Sequence, residues 1–454
     1  MASFKFETAY DMNFFKVPKT EISNADLHYY RQQLIAVNSY DEEKRISMYN
    51  EDDRFFYFPR YYFKNREQVA KRIIDQTDHG TKIDFKCNIK LWDYQQLAIN
   101  EFLRHMNNGK TGFFLGAAPG SGKTQMGIKM MEILGCTTLI IVPKKDLIEQ
   151  WVERILKTTD LKKEDIGTCQ GGKIKWEGKK VVVGLIHTVV KYIDLEPFRR
   201  YFGLLLFDEC DSSVPPNTFA PAAIMFNSKY RIAMTASETR ADGLHVIFQN
   251  HLVEVRITCE KSNTMTPDVL FINYNNSSGK LPHSKDRIKS KGMLMTMLAK
   301  NEDRNKVIAS YIQVATIKDK RPTVILSDRI EQLRSIKRWL ITDYKIPEEM
   351  IGFYIGEQNK AENKRVADNC MIILASYGMM SRGTDIPRLS CLILATVRSD
   401  MRQISGRVER IHPNKKQPII VDFIDTAYSQ TMQGKEQRLK FYTYRKMRLF
   451  EKNA

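Results

Sequence analysis

The chain is predicted to be an α/β protein with two successive parallel-sheet domains, preceded by a small N-terminal α/β or β-rich domain. From Leu91 onward, short apolar segments alternate with amphipathic helical stretches, and this order restarts after about Glu260. Such alternation is typical of parallel strands covered by helices on both faces. A chain of 454 residues is also too long for a single hydrophobic core.

Composition places the domain boundaries near residues 85 and 262. Residues 1–85, 86–262 and 263–454 carry net charges of −1, +5 and +14, so the overall charge of +18 lies mainly in the last part. A one-sided basic surplus favours a polyanionic partner. We therefore predict a DNA-binding or substrate-recognition domain over 1–85, a first α/β domain over 86–262, and a second over 263–454 that ends in a basic helix.

The N-terminal part contains an aromatic-basic run, RFFYFPRYYFKNR, at residues 54–66. Alternating rings and cations suit stacking on bases and pairing with phosphates. Aromatic residues at period two are more often the packed face of a sheet, so both interpretations stay open. Strands with a turn at Pro59 are predicted here.

The strands of the two α/β domains are predicted from their apolar runs. The first domain has FFLG, TLIIVP, KVVVGLIHT, LLLFDE and RIAMTAS, and the second has DVLFINY, TVILSD, MIILAS, CLILAT and PIIVDFID. The polar segment from Asn275 to Lys291 is predicted to be an exposed loop. The basic tail over 435–452 suits either a solvated terminal helix or a DNA contact.

The run GAAPGSGKT, Gly116 to Thr124, lies between a predicted buried strand and a predicted amphipathic helix. A loop that surrounds phosphate needs small residues, because successive backbone N–H groups must point inward. Lys123 stands where an ammonium reaches the outer phosphates, and Thr124 where a hydroxyl ligates Mg²⁺. This order predicts a site for ATP and Mg²⁺. Its predicted loop residues are Ala118, Pro119, Gly120, Ser121, Gly122, Lys123 and Thr124.

The second half of this site is predicted at the run LLLFDECD. Four apolar residues carry Asp208 and Glu209 to the carboxyl end of a buried strand, where ligands bind in open α/β sheets. Asp208 suits a partner of Mg²⁺ beside Thr124, and Glu209 suits the group that orients or deprotonates the attacking water. A solvated acidic turn is the alternative, and the upstream loop disfavours it.

The second domain has no phosphate loop but carries QISGRVER at residues 403–410. One helical turn would place Arg407 and Arg410 on the same face. Two guanidinium groups there would neutralise charge on a transferring phosphoryl group. The alternative is a solvated basic helix, but Gly406 inside a helix costs about 1 kcal/mol relative to alanine, which favours a close-approach requirement.

These residues, in this order, resemble the superfamily 2 helicases with tandem RecA-like lobes, over roughly Lys90 to Asp425. The resemblance implies an ATP hydrolase coupled to translocation on DNA. It assigns the catalytic residues to Lys123, Asp208, Glu209, Gln403, Arg407 and Arg410. It assigns further nucleotide contacts to Gln95, which reads the base, and to Gly383 and Asp385. It assigns contacts with the DNA strand to Pro143, Lys144, Thr188 and Ser376.

Two stretches, residues 403–425 and the PRYYF-containing segment, are most similar to the UvsW type of phage helicase, whose cellular relatives include the XPB and RecG groups. This implies forked or four-way DNA as partner, with branch migration or fork reversal as the outcome. Contacts would fall on phosphates rather than base edges, and so would not be sequence-specific. Two motifs depart from the family: the usual TATP ends here in Ser237 and Glu238, and Asp211 replaces the usual histidine after DEC.

Other classes are disfavoured by composition. The seven cysteines form no CxxC pair, which favours reduced thiols over disulfides or a zinc site. No run approaches the roughly 20 apolar residues of a membrane span, and no signal peptide is evident. A cytosolic protein is therefore predicted, in the host cell if a phage encodes it. An RNA helicase of the same superfamily and a non-enzymatic branched-DNA binding module remain alternatives. The sequence does not fix the oligomeric state and is compatible with a monomer.

Overall fold

The computed structural model divides into two compact units, Met1–Lys261 and Ser262–Ala454, which are described separately. It describes residues 5–39, 41–118, 120–211, 216–236, 239–240, 242–259, 265–275, 290–381, 386–396 and 401–454, with the backbone alone at 216, 217, 291, 360, 381, 402 and 403. The predicted loop over 275–291 lies mostly outside these ranges. The predicted division into three domains at 85 and 262 stays a prediction.

The first unit begins with a small sheet in the order β5-β6-β2-β1-β7, beside a separate β3-β4 hairpin. Strand β1 pairs parallel with β7, and the other described pairs of this sheet are antiparallel. Its elements are β1 (Phe6–Asp11), β2 (Phe14–Pro18), α1 (Asn24–Gln33), β3 (Ile35–Asn38), β4 (Asp41–Ser47), β5 (Asn50–Glu51), β6 (Phe55–Pro59) and β7 (Ala70–Asp75).

The rings of the aromatic-basic run form the packed face of this sheet. Phe56, Phe58 and Tyr61 are fully buried, and Phe58 contacts the ring of Tyr30 edge-on at 4.8 Å between centroids. Phe56 and Phe58 therefore stabilise the N-terminal sheet, and Tyr61 lies beside Thr111 and Gly112 at the start of the following α/β sheet. None of the three rings is exposed for stacking on bases. For these buried rings, packing in the protein core is the correct interpretation of the run, and stacking on bases is not.

Two arginines of the same run are buried in an ionic cluster around Asp11, at the end of β1. Arg60 Nε lies 2.9 Å and Arg66 Nη1 lies 2.7 Å from Asp11 Oδ1. Burial alone would raise the pKa of Asp11, but attraction to the two guanidinium groups lowers it overall. Arg60 Nη1 also donates to Ser228 O at 2.6 Å, which ties the N-terminal sheet to the following α/β sheet.

Replacing Asp11 with asparagine should destabilise the protein by about 3–5 kcal/mol, because it leaves buried guanidinium charge uncompensated. The free energy of unfolding from urea titration measures the effect. Asp41→Asn serves as the control, since Asp41 pairs with Lys44 on the surface and exposed pairs contribute little. Equal stability of the two variants would contradict a structural role for the buried cluster.

The rest of the first unit is an eight-stranded sheet in the order β11-β10-β12-β9-β13-β14-β8-β15. All its described pairs are parallel except β10 with β11. Its elements are α2 (Asp93–Asn107), β8 (Gly112–Ala117), α3 (Lys123–Leu134), β9 (Thr138–Val142), α4 (Lys145–Thr158), β10 (Ile166–Gln170), β11 (Lys173–Ile174), β12 (Val181–Leu185), α5 (Ile186–Val189), α6 (Glu196–Arg200), β13 (Leu204–Asp208), α7 (Pro216–Ile224), β14 (Tyr230–Thr235), α8 (His245–His251) and β15 (Val255–Cys259).

Both faces of this sheet are covered, as the continuous apolar runs predict. Along β13, Leu204 and Leu206 belong to one hydrophobic cluster, while Leu205 and Phe207 belong to the other. Successive side chains of a strand point to opposite faces, so a strand buried on both sides must be apolar throughout. The parallel α/β fold is confirmed.

The second unit contains a seven-stranded sheet in the order β18-β19-β17-β20-β21-β16-β22, parallel in every described pair. Its elements are β16 (Asp268–Tyr274), α9 (Lys291–Ala299), α10 (Glu302–Gln313), β17 (Thr323–Ser327), α11 (Ile330–Thr342), β18 (Ile351–Tyr354), α12 (Lys360–Asn369), β19 (Ile372–Ser376), α13 (Tyr377–Ser381), β20 (Cys391–Leu394), α14 (Arg402–Ser405), β21 (Ile419–Asp425), α15 (Ser429–Tyr444) and β22 (Leu449–Asn453).

The end of the chain differs from the predicted terminal helix. Helix α15 stops at Tyr444, and Leu449–Asn453 then pairs parallel with β16 as the edge strand β22. Arg438 of α15 is fully buried, with Nε 2.7 Å from Asp422 Oδ2, so this helix is fastened to the sheet. The C-terminal tail is therefore part of the folded second unit. No helix in the described parts of the chain has the length and apolar character to cross a bilayer.

Candidate nucleotide site and strand-contacting segments

The predicted nucleotide-binding segments meet at one edge of the first α/β sheet. Strands β8, β13 and β14 run parallel, so their carboxyl ends lie together. The register pairs Asp208 with Met234, and Met234 with Leu115. Asp208 is thus two strands away from the end of β8, a distance of about 10 Å. The phosphate loop follows β8 directly, so it lies beside the acidic strand end.

The glycines of the loop are required by its backbone. Gly120 and Gly122 have φ values of 75° and 82°, in the left-handed region that side chains disfavour. Gly122 also precedes the first residue of α3, and a Cβ there would lie 2.2 Å from Gln95 Nε2. Gln95 Nε2 is the end of a flexible side chain, so the left-handed backbone is the stronger reason for glycine at this position.

Two polar side chains of the loop have the properties that a phosphate ligand requires. Lys123 Nζ donates to Ala117 O at 2.8 Å and to Ala118 O at 3.3 Å, which holds the ammonium over the loop. Burial lowers the pKa of Lys123, while attraction to Asp208 and other nearby acids opposes that shift. Ser121 is buried and its Oγ has no hydrogen-bond partner among the described residues. A buried hydroxyl without a partner fits a bound phosphate oxygen.

The acidic residues differ in environment. Asp208 is 7% exposed and accepts a hydrogen bond from Trp151 Nε1 at 2.8 Å, and burial raises its pKa. Burial and the neighbouring Asp208 also raise the pKa of Glu209, while Lys144 lowers it by attraction. Glu209 has a φ of 53°, which is uncommon outside glycine and typical of strained functional positions.

Asp211, which replaces the usual histidine, joins two strand ends. Thr235 Oγ1, at the end of β14, donates a hydrogen bond to Asp211 Oδ1 beyond β13. Thr235 is fully buried and Asp211 is partly buried. Asp211 therefore makes a polar link between the two motifs, which the sequence alone did not predict.

Gln95 lies on α2, against the phosphate loop. Its Oε1 accepts from Trp92 N at 2.9 Å and its Nε2 donates to Ser121 O at 2.8 Å. The side chain is buried, whereas Trp92, three residues earlier, is 68% exposed. The contact of Gln95 with the base, which the resemblance implies, stays a prediction.

The residues present fit the predicted Mg²⁺ site. No group of three or more His, Cys, Asp or Glu residues with metal-binding geometry occurs in the described ranges. Mg²⁺ usually keeps several waters and takes one or two protein ligands besides substrate phosphates. The hydroxyl of Thr124, on the first turn of α3, and the Asp208 carboxylate match that pattern.

The four residues predicted to contact nucleic acid lie at or just beyond the carboxyl ends of β-strands in the two units. Pro143 and Lys144 come directly after β9, and Lys144 is exposed at the start of α4. Thr188 lies in α5 and is only 6% exposed, while Ser376 ends β19 and is partly exposed. Their contacts with nucleic acid stay predictions.

The predicted helix across residues 403–410 is wrong. Helix α14 covers Arg402–Ser405 and Gly406 caps it, so Arg407 and Arg410 lie in the turns that follow. Lys415 Nζ donates to Val408 O at 2.8 Å and to Arg410 O at 2.6 Å, so a side chain from further along the chain holds these turns. Arg407 is buried, and burial lowers the pKa of the partly buried Arg410.

Several predicted residues lie outside the described residues. These are Pro119, Ser237, Glu238, Gly383 and Asp385, and for Gln403 the side chain.

Trp151 is a residue that sequence reasoning did not single out. It lies on α4, whose apolar period predicts a core side chain and nothing more. Its contact with Asp208 spans 57 positions of the chain, so only the fold brings the two together.

Comparisons with known proteins find similarity to a family model and to named helicases and translocases. Residues 88–240 match the family described as "Type III restriction enzyme, res subunit". The chain is 26% identical over 400 residues to the "Putative ATP-dependent RNA helicase L396" of Acanthamoeba polyphaga mimivirus, covering 85% of this chain and 74% of that protein. It is 33% identical over 189 residues to the "DNA 3'-5' translocase XPB2" of Sulfurisphaera tokodaii, covering 42% of this chain and 39% of that protein.

A solved structure of Dbp5 from S. cerevisiae, bound to RNA and ADP BeF3, superimposes with a TM-score of 0.54. The match covers 80% of this chain and 90% of that chain, at 13% identity. At this identity the likeness is one of fold. The two parallel sheets are those of tandem RecA-like domains.

Proposed function

We propose that this chain, which belongs to the superfamily 2 helicases and is an ATP-driven enzyme, is a DNA motor that remodels branched DNA. The observation that carries the motor proposal is the meeting of the phosphate loop and the acidic strand end at one sheet edge. Ligands of open α/β sheets bind at this edge, so the loop and the two carboxylates are placed to act on one nucleotide.

In the proposed reaction, the first unit binds ATP. The loop N–H groups and the Ser121 hydroxyl would hold phosphate oxygens, and the Lys123 ammonium would turn from its carbonyl partners to the outer phosphates. Gln95 would contact the base. Mg²⁺, held by Thr124 and Asp208, would supply neutralising charge at the phosphates. Glu209, whose pKa is raised, would orient or deprotonate the attacking water.

From the second unit, we propose that Gln403, Arg407 and Arg410 act on the same phosphates, as the resemblance implies, with Gly383 and Asp385 contacting the nucleotide. Guanidinium groups stabilise the charge of the transferring phosphoryl group. Hydrolysis would alter this engagement once in each cycle. Repeated engagement and release would then drive movement along a strand.

The proposed strand lies over Pro143 and Lys144 of the first unit, Thr188 of the same unit, and Ser376 of the second. Contacts with phosphates permit stepping on any sequence, because every nucleotide has the same backbone. The net charge of +14 over residues 263–454 supports a polyanionic partner. A location in the cytosol fits this role and stays a prediction.

Branched DNA is the proposed substrate because residues 403–425 and the PRYYF-containing segment resemble a fork-remodelling type of helicase. An RNA substrate is the second candidate, favoured by the name of the mimivirus relative, which calls it an RNA helicase. The XPB2 relative is named a DNA translocase. The motor residues are the same for both polymers, so they do not separate the two candidates.

The test compares ATP-dependent remodelling of labelled forks, four-way junctions, linear DNA duplexes and RNA duplexes with 3′ or 5′ overhangs. We expect forks and junctions to be processed faster than linear duplexes, with DNA stimulating ATP hydrolysis more than RNA. Glu209→Gln is the matched control, since it keeps size and removes the carboxylate. Preferential unwinding of RNA would favour the second candidate, and binding without ATP-dependent remodelling would contradict both.

A further inference from the structure

We propose that Trp151 is a positioning residue that holds the Asp208 carboxylate in place and connects it to the strand-contacting start of helix α4. This inference rests on the proposed function, in which Asp208 serves the ATP site and Lys144 contacts the strand. Through this connection, nucleic acid bound at Lys144 would change the position of Asp208 and so the rate of ATP hydrolysis.

The first support is the hydrogen bond itself. Trp151 Nε1 donates to Asp208 Oδ2 at 2.8 Å, and Trp151 is 1% exposed. An ionised carboxylate has about four acceptor positions, so one such bond fixes its rotation and leaves others for a metal ion. Bonds between a donor and a charged acceptor are stronger than neutral ones, more so away from water.

The second support is how the indole is held. A Cβ at Gly127 would lie 3.1 Å from Trp151 Cη2, so the missing side chain leaves room for the ring. Gly127 lies on α3, four residues after Lys123, the first residue of that helix. The indole therefore packs against the helix that follows the phosphate loop while its N–H reaches the acidic strand end.

The third support is the position of Trp151 along α4. Lys144 immediately precedes the helix, and Trp151 lies about 10 Å further along it. Lys144 also attracts Glu209 electrostatically. One helix thus acts on both acidic residues, on Asp208 through Trp151 and on Glu209 through Lys144. A strand that moves the start of α4 would move the indole, and misplacement by about 1 Å can cost a hundredfold in rate.

The test is Trp151→Phe, which keeps an aromatic ring and removes the N–H donor. Steady-state ATP hydrolysis is measured against Mg²⁺ concentration, with and without single-stranded DNA. We expect the Mg²⁺ concentration for half-maximal rate to rise about tenfold, as expected for losing a hydrogen bond to a charged group. We also expect the stimulation by DNA to fall at least severalfold, while KM for ATP at saturating Mg²⁺ changes less than twofold.

The control is Ile155→Val, a buried residue one turn further along α4 that leaves the indole in place. It should keep wild-type Mg²⁺ dependence and DNA stimulation. If Trp151→Phe keeps wild-type Mg²⁺ dependence and wild-type DNA stimulation, the inference is overturned. The proposed function would still stand in that case, provided that Lys123→Ala abolishes hydrolysis. Hydrolysis that survived Lys123→Ala would instead overturn the proposed function.

A second variant covers the case in which Trp151→Phe fails to fold. Gly127→Ala keeps the donor but places a Cβ 3.1 Å from Trp151 Cη2 and 3.2 Å from Met234 Sδ, so the ring or this neighbour must shift by a few tenths of an ångström. We expect the same direction of change in Mg²⁺ dependence and DNA stimulation. Wild-type behaviour of a folded Gly127→Ala protein would then overturn the inference.

Discussion

Replacing Lys123 with alanine should reduce ATP hydrolysis to background while DNA binding stays measurable. Lys123 Nζ lies over the loop, on Ala117 O and Ala118 O, from where it can reach the outer phosphates. Without it, the charge that develops on the phosphates loses its nearest protein cation. Phosphate release measures turnover, and fluorescence anisotropy of labelled DNA measures binding.

The control for this prediction is Lys129→Ala on the same helix, where Lys129 pairs with Glu132 near the surface. It removes one positive charge from α3 without touching the loop, so hydrolysis should stay within about twofold of wild type. Substantial hydrolysis by Lys123→Ala would contradict the assignment of residues 116–124 as the phosphate loop.

The second large effect is expected from Arg407→Ala, which should lower turnover about 10³-fold with little loss of ATP binding. A guanidinium that acts on the transferring phosphoryl group stabilises the transition state more than the bound ground state. Single-turnover hydrolysis separates the chemical step from binding, and a fluorescent ATP analogue reports affinity.

Because Arg407 is buried, its loss also risks the fold of the second unit. Thermal unfolding of Arg407→Ala should therefore be compared with that of Arg365→Ala, which removes an exposed ion pair with Glu362. Lower turnover in a protein that unfolds at the wild-type temperature supports a catalytic role. Lower turnover that only follows a loss of folded protein would make the arginine structural.

Much of the fold follows from local pattern. The ten predicted strands lie at ten of the strands in the two α/β sheets, because a strand buried on both faces must be apolar along its length. The phosphate loop and the acidic strand end could also be predicted from the sequence, because phosphate binding allows only certain residue types at fixed positions.

Elements with weak local signal were not predicted. Strands β11 and β18 are short, β15 and β22 have exposed positions at a sheet edge, and β10 (IGTCQ) contains glycine and polar residues, so their pairing depends on neighbours supplied by the fold. The helix predicted across residues 403–410 ends at Ser405, and Lys415, from further along the chain, holds the turns that follow.

The sequence by itself determined the α/β class and the strand ends at which the phosphate-loop and acidic motifs lie, because these follow from residue patterns within single segments of the chain. The tertiary structure alone decided that Arg60 and Arg66 are buried partners of Asp11, that Asp211 bonds Thr235, and that Trp151 holds Asp208. Each of these contacts joins residues 24 to 57 positions apart. Distance along the chain carries no information about such pairs, since only the packing of strands and helices brings them within bonding range.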